Sequence, residues 1–201
     1  MREVPPPVSR RGPLGATDPA SDASAHGSAV AIRELPPRAR FSLRVNPTLL
    51  ASAKTVYTFT LDMPINRYTV AAGWTAMRLG PDEWLLSGPE SEAAQITSGI
   101  ESTLAPLHHA LVDIGHRHIA LLVSGPRAAD VINSGCALDL AQAAFPIGAA
   151  TRTLLGKAEI ILSKWDNAPA FEIECARSFA AYVRDFLHDA GRQYRVPARG
   201  S

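Results

Sequence analysis

A chain of 201 residues allows one domain, or one domain plus a tail, and is long enough for a real core. Hydrophobic residues make up 46% and charged residues 19%, with a net charge of +1, which is ordinary for a globular protein. The first 40 residues carry six Arg and four acids, so the remainder sums to about −1. That near-neutral body excludes the phosphate-neutralising field on which nucleic-acid binding depends. No run approaches the roughly 18 apolar residues of a membrane span.

Residues 1–40 hold seven of the sixteen prolines and no aromatic residue. Pro5-Pro6-Pro7 and the Ala16–Ser28 stretch offer too little apolar area to offset ordering entropy, so residues 1–40 read as a disordered or extended tail. Val30-Ala31-Ile32 and Leu35 give it a little apolar surface for a partner. Ser9-Arg10-Arg11 is followed by Gly12-Pro13 rather than an apolar segment, which argues against a twin-arginine signal and for a cytoplasmic protein.

Order is expected from Phe41. Phe41–Val45 and Val56–Leu61 alternate apolar with polar and predict strands, while Met63–Gly73 carries no clear pattern. Trp74–Leu79 and Glu83–Ser87 flank Gly80-Pro81-Asp82 and predict a hairpin. After Gly88-Pro89, the spacing of Ala93, Ile96, Ile100, Leu104 and Leu107 predicts a helix ending near Pro106. Leu111–Ile114 and Ile119–Val123 read as strands about a Gly115-His116-Arg117 turn. Pro126 opens a short helix that Gly135 closes, and Ala141–Phe145 suits another helical turn. Ala150–Leu154, Ala158–Ser163 and Ala170–Cys175 follow as strands. Ser178 is placed to cap a last helix with the apolar stripe Phe179, Val183, Phe186, Leu187 and Ala190. Residues 195–201 form a polar C-terminal tail. The order predicts an α+β fold of antiparallel sheets with amphipathic helices packed on them. No internal repeat of fixed period appears.

The inventory of chemistry is thin. His116 and His118 would share a face on a strand, but sequence marks no third zinc ligand, and adjacent His108 and His109 point oppositely. Asp113, in an apolar strand, needs a partner. It either caps the Gly115–Arg117 turn, pairs with Arg117, or serves catalysis if a neighbour shifts its pKa. Cys136 and Cys175 sit in apolar surroundings and read as buried, reduced thiols. Asp82 and Glu83 are most simply solvated at a turn, and Trp74 and Trp84 are core. Nucleophile-elbow, Walker and dinucleotide motifs are missing, and Pro126 removes an N–H from the helix start at Gly125. No residue is therefore assigned to catalysis, cofactor binding or metal.

Leu79-Gly80-Pro81-Asp82-Glu83-Trp84-Leu85-Leu86 and Val112-Asp113-Ile114-Gly115-His116-Arg117 resemble segments of the gamma subunit of heterotetrameric sarcosine oxidase. So do Gly125–Ile132 (GPRAADVI), Cys136–Leu140 (CALDL), Ala144–Gly148 (AFPIG), Arg152-Thr153 and Arg177–Val183 (RSFAAYV). The likeness spans roughly Phe41 to Tyr194, giving a gamma-type domain over residues 41–194. More remotely, the chain resembles the folate-binding domain of aminomethyltransferases. Gly115 replaces that family's usual Ser, and Asp166-Asn167-Ala168-Pro169-Ala170 stands where its pterin-gripping glutamate segment belongs, so folate binding is not implied. The resemblance implies an accessory subunit of a complex that demethylates sarcosine oxidatively to glycine, releasing hydrogen peroxide and formaldehyde or methylenetetrahydrofolate. It places FAD, FMN, NAD, tetrahydrofolate and zinc in partner alpha, beta and delta subunits, none in this chain, with alpha as the chief contact and an exposed apolar patch as the means. The alternatives are a freestanding folate-binding or one-carbon transfer protein, and a gamma-type subunit of a related N-methyl amino acid dehydrogenase.

Overall fold

The computed structural model describes Leu14, residues 29–52 and residues 55–194. Its strands are β1 (Ala31–Glu34), β2 (Ala39–Val45), β3 (Thr55–Val56), β4 (Phe59–Thr60), β5 (Arg67–Ala71), β6 (Trp74–Arg78) and β7 (Glu83–Gly88). Helix α1 (Ala93–Leu104) follows, then β8 (His109–Asp113), β9 (His118–Ser124) and the short α2 (Ala128–Asn133). The chain continues through β10 (Ala150–Leu155), β11 (Ala158–Ser163), β12 (Ala170–Ala176) and α3 (Ala180–Gly191). One five-stranded sheet has the order β5-β6-β7-β2-β8 and a second β1-β9-β12-β11-β10, while β3 and β4 form a small two-stranded sheet, every pair antiparallel.

Helix α1 lays Ile96, Ile100 and Leu104 on the first sheet, over Leu43, Trp74 and Trp84. Helices α2 and α3 lay Val131, Ile132, Val183 and Leu187 on the second, over Val123, Ile160 and Ile173. Both tryptophans are fully buried; their indole N–H groups donate to the Glu92 carboxylate and the Leu61 carbonyl, which removes the polar penalty of burying them. The opposite faces of the two sheets meet each other around Met77, Leu85, Ala150 and Ile161. A bridge between Arg67 and Ala149 joins the sheets at one end. The α+β architecture, with helices on antiparallel sheets, is the one the sequence predicts.

The two halves share one plan. Three hairpin-linked strands beside a fourth, then a one-turn 3-10 segment and a 12-residue helix, occur once with β2, β5–β7 and α1 and again with β9–β12 and α3. The strand that opens each half crosses over: β1 pairs with β9 of the second half, and β8 pairs with β2 of the first. A repeat too diverged to read from sequence is therefore explicit in the topology.

Several expectations need correction. Residues 29–40 are not tail: Ala31–Glu34 pairs with Ser124–Leu121, and Ile32 is buried in the second core. Composition averaged over the Pro-rich start hid a short alternating strand. The remainder of the expected N-terminal tail, apart from Leu14, and residues 195–201 lie outside the described residues. Val56–Leu61 is not one strand, because Tyr57 takes φ 54° and turns the chain between β3 and β4. Met63–Gly73 contains β5, whose turn to β6 holds Ala72 and Gly73 at φ 49° and 79°, the backbone of a tight primed hairpin. Helix α2 begins at Ala128, two residues beyond Pro126, and Ser178 lies inside a 3-10 turn rather than capping α3.

Candidate functional site

Period-two alternation explains what lies between the sheets. On β2, Phe41, Leu43 and Val45 face α1, which turns Arg40, Ser42 and Arg44 toward the other sheet. On β12, Phe171, Ile173 and Cys175 face the helices, and Glu172 and Glu174 face inward. Arg40 Nε donates to Glu174 Oε2 at 2.8 Å, both side chains 2% exposed. Arg38 Nη1 donates to Glu172 Oε1 at 3.2 Å. Nearer the edge, Glu83 accepts from Arg152 at 2.6 Å and from Arg44 at 3.0 Å.

At the centre of this ionic layer Arg40 and Glu174 are sealed between the two sheets, where desolvating each ion costs several kcal/mol and only close pairing offsets it. The pairing is incomplete. Arg40 Nη2, Glu174 Oε1, His118 Nδ1, Ser87 Oγ and Trp165 Nε1 are buried without a hydrogen-bond partner among the described residues, each at a typical cost of about 1–3 kcal/mol. Arg40, Ser87, His118 and Glu174 sit on the faces the sheets turn toward each other, and Trp165, in the loop after β11, packs against the same inter-sheet cluster. Burial pushes the His118 imidazole below its ordinary value, against the pull of Glu174, whose carboxylate is 3.9 Å away. Burial also raises the Glu172 carboxyl to about 7; Arg38 and Arg40 oppose that rise and Glu174 adds to it. The Trp165 indole N–H faces the same carboxyl without closing a hydrogen bond.

The layer opens into a pocket of about 480 Å³, lined by Arg38, Val70, Thr75, Ser87, Trp165 and Glu172 among others. A second pocket, of about 620 Å³, lies at the far end of β2 and includes Arg44, Leu49, Asp82, His108 and His109. There the Leu107 carbonyl, and secondarily the Glu101 carboxylate, raise the His109 pKa.

The residues singled out from sequence do not converge. Asp113 accepts the Gly115 N–H at 2.8 Å, the turn cap expected of it. His116 stands exposed in that turn, off the strand, so it shares no face with half-buried His118. Glu83, expected to be solvated, is instead 14% exposed and clamped between two arginines, which hold its carboxyl below the usual range. Cys136 and Cys175 are free and buried, and burial pushes the Cys175 thiol up to about 12. Among the described residues no three His, Cys, Asp or Glu side chains are grouped to hold a metal, and no helix is long and apolar enough to cross a membrane. Sequence reasoning missed Arg38, Arg40, Glu172 and Glu174. The available signal was the matched spacing of Arg38-x-Arg40 and Glu172-x-Glu174 on apolar strands. Chemically, the arrangement can hold two sheets in register and orient a small polar molecule.

The fold, two antiparallel sheets with helices outside, is shared with the aminomethyltransferase T of the glycine cleavage system from Bartonella henselae (TM-score 0.61, 13% identity, covering 80% of this chain and 45% of that one). The chain is thus an α+β protein of the aminomethyltransferase fold. A chain of heterotetrameric sarcosine oxidase from Corynebacterium sp. U-96 superposes with TM-score 0.82 at 24% identity, covering 95% of this chain and 99% of that one. The gamma subunit of sarcosine oxidase from Corynebacterium sp. strain U-96 is 26% identical over 169 residues, 83% of this chain and 81% of the relative. That of strain P-1 is 27% identical over 122 residues, covering 61% and 59%. The pattern of the sarcosine oxidase gamma subunit family matches residues 44–193, and the chain belongs to that family.

Proposed function

We propose that this chain is the gamma subunit of a heterotetrameric sarcosine oxidase and that it supports the reaction without supplying catalytic residues. The observation that carries the reading is the family match over residues 44–193, which takes in strands β3–β12, all three helices, and Arg44, Glu83, Arg152, Glu172 and Glu174 of the charged layer. In this reading FAD, FMN, NAD, tetrahydrofolate and zinc reside in the alpha, beta and delta partners. The complex, in the cytoplasm, converts sarcosine to glycine with hydrogen peroxide and formaldehyde or methylenetetrahydrofolate. Cofactor chemistry of this kind needs dedicated binding folds. Exposed Val70, Val112, Leu154, Phe179 and Tyr182 supply apolar surface suited to packing on a partner, chiefly alpha.

Co-expression with candidate alpha, beta and delta chains is expected to yield one yellow, co-eluting complex that oxidises sarcosine. The purified chain alone is expected to be colourless and inactive. A chain that never co-elutes with those partners would sink the reading. Tight tetrahydrofolate binding by the isolated chain would instead favour a freestanding one-carbon protein.

A further inference from the structure

The larger sheets end in the outermost strands β5, β8, β1 and β10, and all but one of these edges are blunted. Strand β5 is met by the segment before β10: the Tyr68 N–H donates to the Gly148 carbonyl at 3.1 Å, and Arg67 bridges Ala149. Strand β10 turns Arg152 inward to Glu83. Strand β1 is four residues long, carries Arg33 and Glu34, and runs into Pro36-Pro37. Short length, inward charge and proline all keep an edge from pairing with another chain. Strand β8, His109-Ala110-Leu111-Val112-Asp113, has no Lys, Arg, Glu or Pro. Among the described residues no strand lies beyond it.

Register fixes which groups this edge offers. The Ile114 N–H donates to the Arg40 carbonyl at 2.8 Å, whereas the Val45 N–H donates to Asp82, on the opposite flank of β2. Even-numbered residues of β2 therefore bond β8, through Ala110 and Val112. The N–H and C=O groups of His109, Leu111 and Asp113 point the other way, out of the sheet.

That edge is complementary to itself. Two copies running antiparallel, with Leu111 facing Leu111 across a two-fold axis, pair every residue of the strand, and any shifted register pairs fewer. His109 then stands opposite Asp113 at both ends, and Ala110 opposite Val112. The two His109 ring nitrogens lie 2.9 Å from the Leu107 carbonyl and 3.0 Å from the Glu101 carboxylate. Both oxygens accept, so the ring that satisfies them is the protonated one. Asp113 is exposed, with one carboxylate oxygen on the Gly115 N–H. Opposite charges directly across an antiparallel pair favour the pairing.

We propose that the free chain associates with a second copy of itself through β8, joining their sheets edge to edge in an isologous contact. The edge is short, so association is weak and concentration-dependent, with Kd of about 10–100 µM. The inference concerns the free chain and does not rest on the subunit reading.

The test is sedimentation equilibrium of the full-length chain over concentrations that span this range, where the mass is expected to rise from monomer toward dimer. Leu111→Cys probes the register. Its paired Cα atoms, about 5.5 Å apart, are within reach of a disulfide, and the native Cys136 and Cys175 are buried. Mild oxidation is expected to yield covalent dimer at least about tenfold faster than with Val112→Cys, whose sulfurs are offset along the strands. Asp113→Asn keeps an oxygen for the turn cap, removes both charge pairs and is expected to raise Kd about fivefold. Leu111→Lys sets two ammonium groups on the axis and is expected to abolish association, with the melting temperature within a few degrees of the parent. Three results overturn the proposal: a monomer at every concentration, equally fast trapping of the two cysteine variants, or unchanged association of both Asp113→Asn and Leu111→Lys. A monomeric parent whose co-elution with the partner subunits is blocked by Leu111→Lys would assign the edge to a different chain, and the proposal fails. Dimerisation without co-elution removes only the subunit reading.

Discussion

Glu172 shows how one position can set the response of the whole molecule to pH. Its carboxyl titrates near 7 in the fold, against an ordinary value of 4.5, so between those values the folded chain holds a proton that the unfolded chain has released. Stability from this group is greatest at acid pH and falls as the pH rises to 7, by on the order of 3 kcal/mol. Arg38, Arg40 and Glu174 face the carboxyl and modulate that figure. Glu172→Gln is therefore expected to melt higher than the parent at pH 8, with the difference shrinking toward pH 5, as followed by circular dichroism. A variant that melts several degrees lower at pH 8 would mean that the ion pair with Arg38 outweighs the burial penalty. The neighbouring pair, Arg40 and Glu174, is subject to a different balance. Its two charges are close and equally buried, so loss of either alone leaves an uncompensated ion in the layer.

Among elements, the helices were the most legible. The three- and four-residue spacing of Ala93, Ile96, Ile100 and Leu104, and of Ala180, Val183 and Leu187, is a local property, and each stripe is packed as a stripe. Boundaries were less legible, because they depend on turn geometry. Tyr57 in the left-handed region breaks an alternation that otherwise runs through Leu61. Gly125 is the junction on which the second half depends: its φ is +115°, and a β-carbon there would sit 2.7 Å from the Ala29 carbonyl oxygen. That carbonyl accepts the Arg127 N–H at 3.0 Å as β1 begins and the β9–α2 turn closes. Gly125→Ala combines backbone strain with a clash against main chain. It is expected to lower unfolding free energy by about 2 kcal/mol or more in urea titrations. An unchanged midpoint would show that the turn relaxes freely.

At the scale of the whole molecule, the exchanged strands β1 and β8 make two similar halves into one body. Neither half completes its own five-stranded sheet, since the outermost strand beside β9 or β2 comes from the other half. A chain beginning at Arg38 would lose β1, uncover the edge of β9 and expose Leu121 and Val123 beside the vacated strand. Such an edge templates aggregation. That truncation is expected to melt at least several degrees lower and to self-associate in light scattering. A monodisperse truncation with the parent's melting temperature would show that β1 is dispensable.

The sequence by itself determined the class of fold, most strands, both long helices, the burial of Trp74, Trp84 and the two cysteines, and the family. All of these follow from local periodicity or from ordered short motifs. Only the tertiary structure decided that Arg40 and Glu174 meet, that Arg38 and Glu172 share a pocket, and that Glu83 is clamped rather than solvated. On a half-buried strand, an outward charge reads as solvent-facing because a single strand does not record what covers its second face. Here that face is covered by another sheet, from residues more than a hundred positions away.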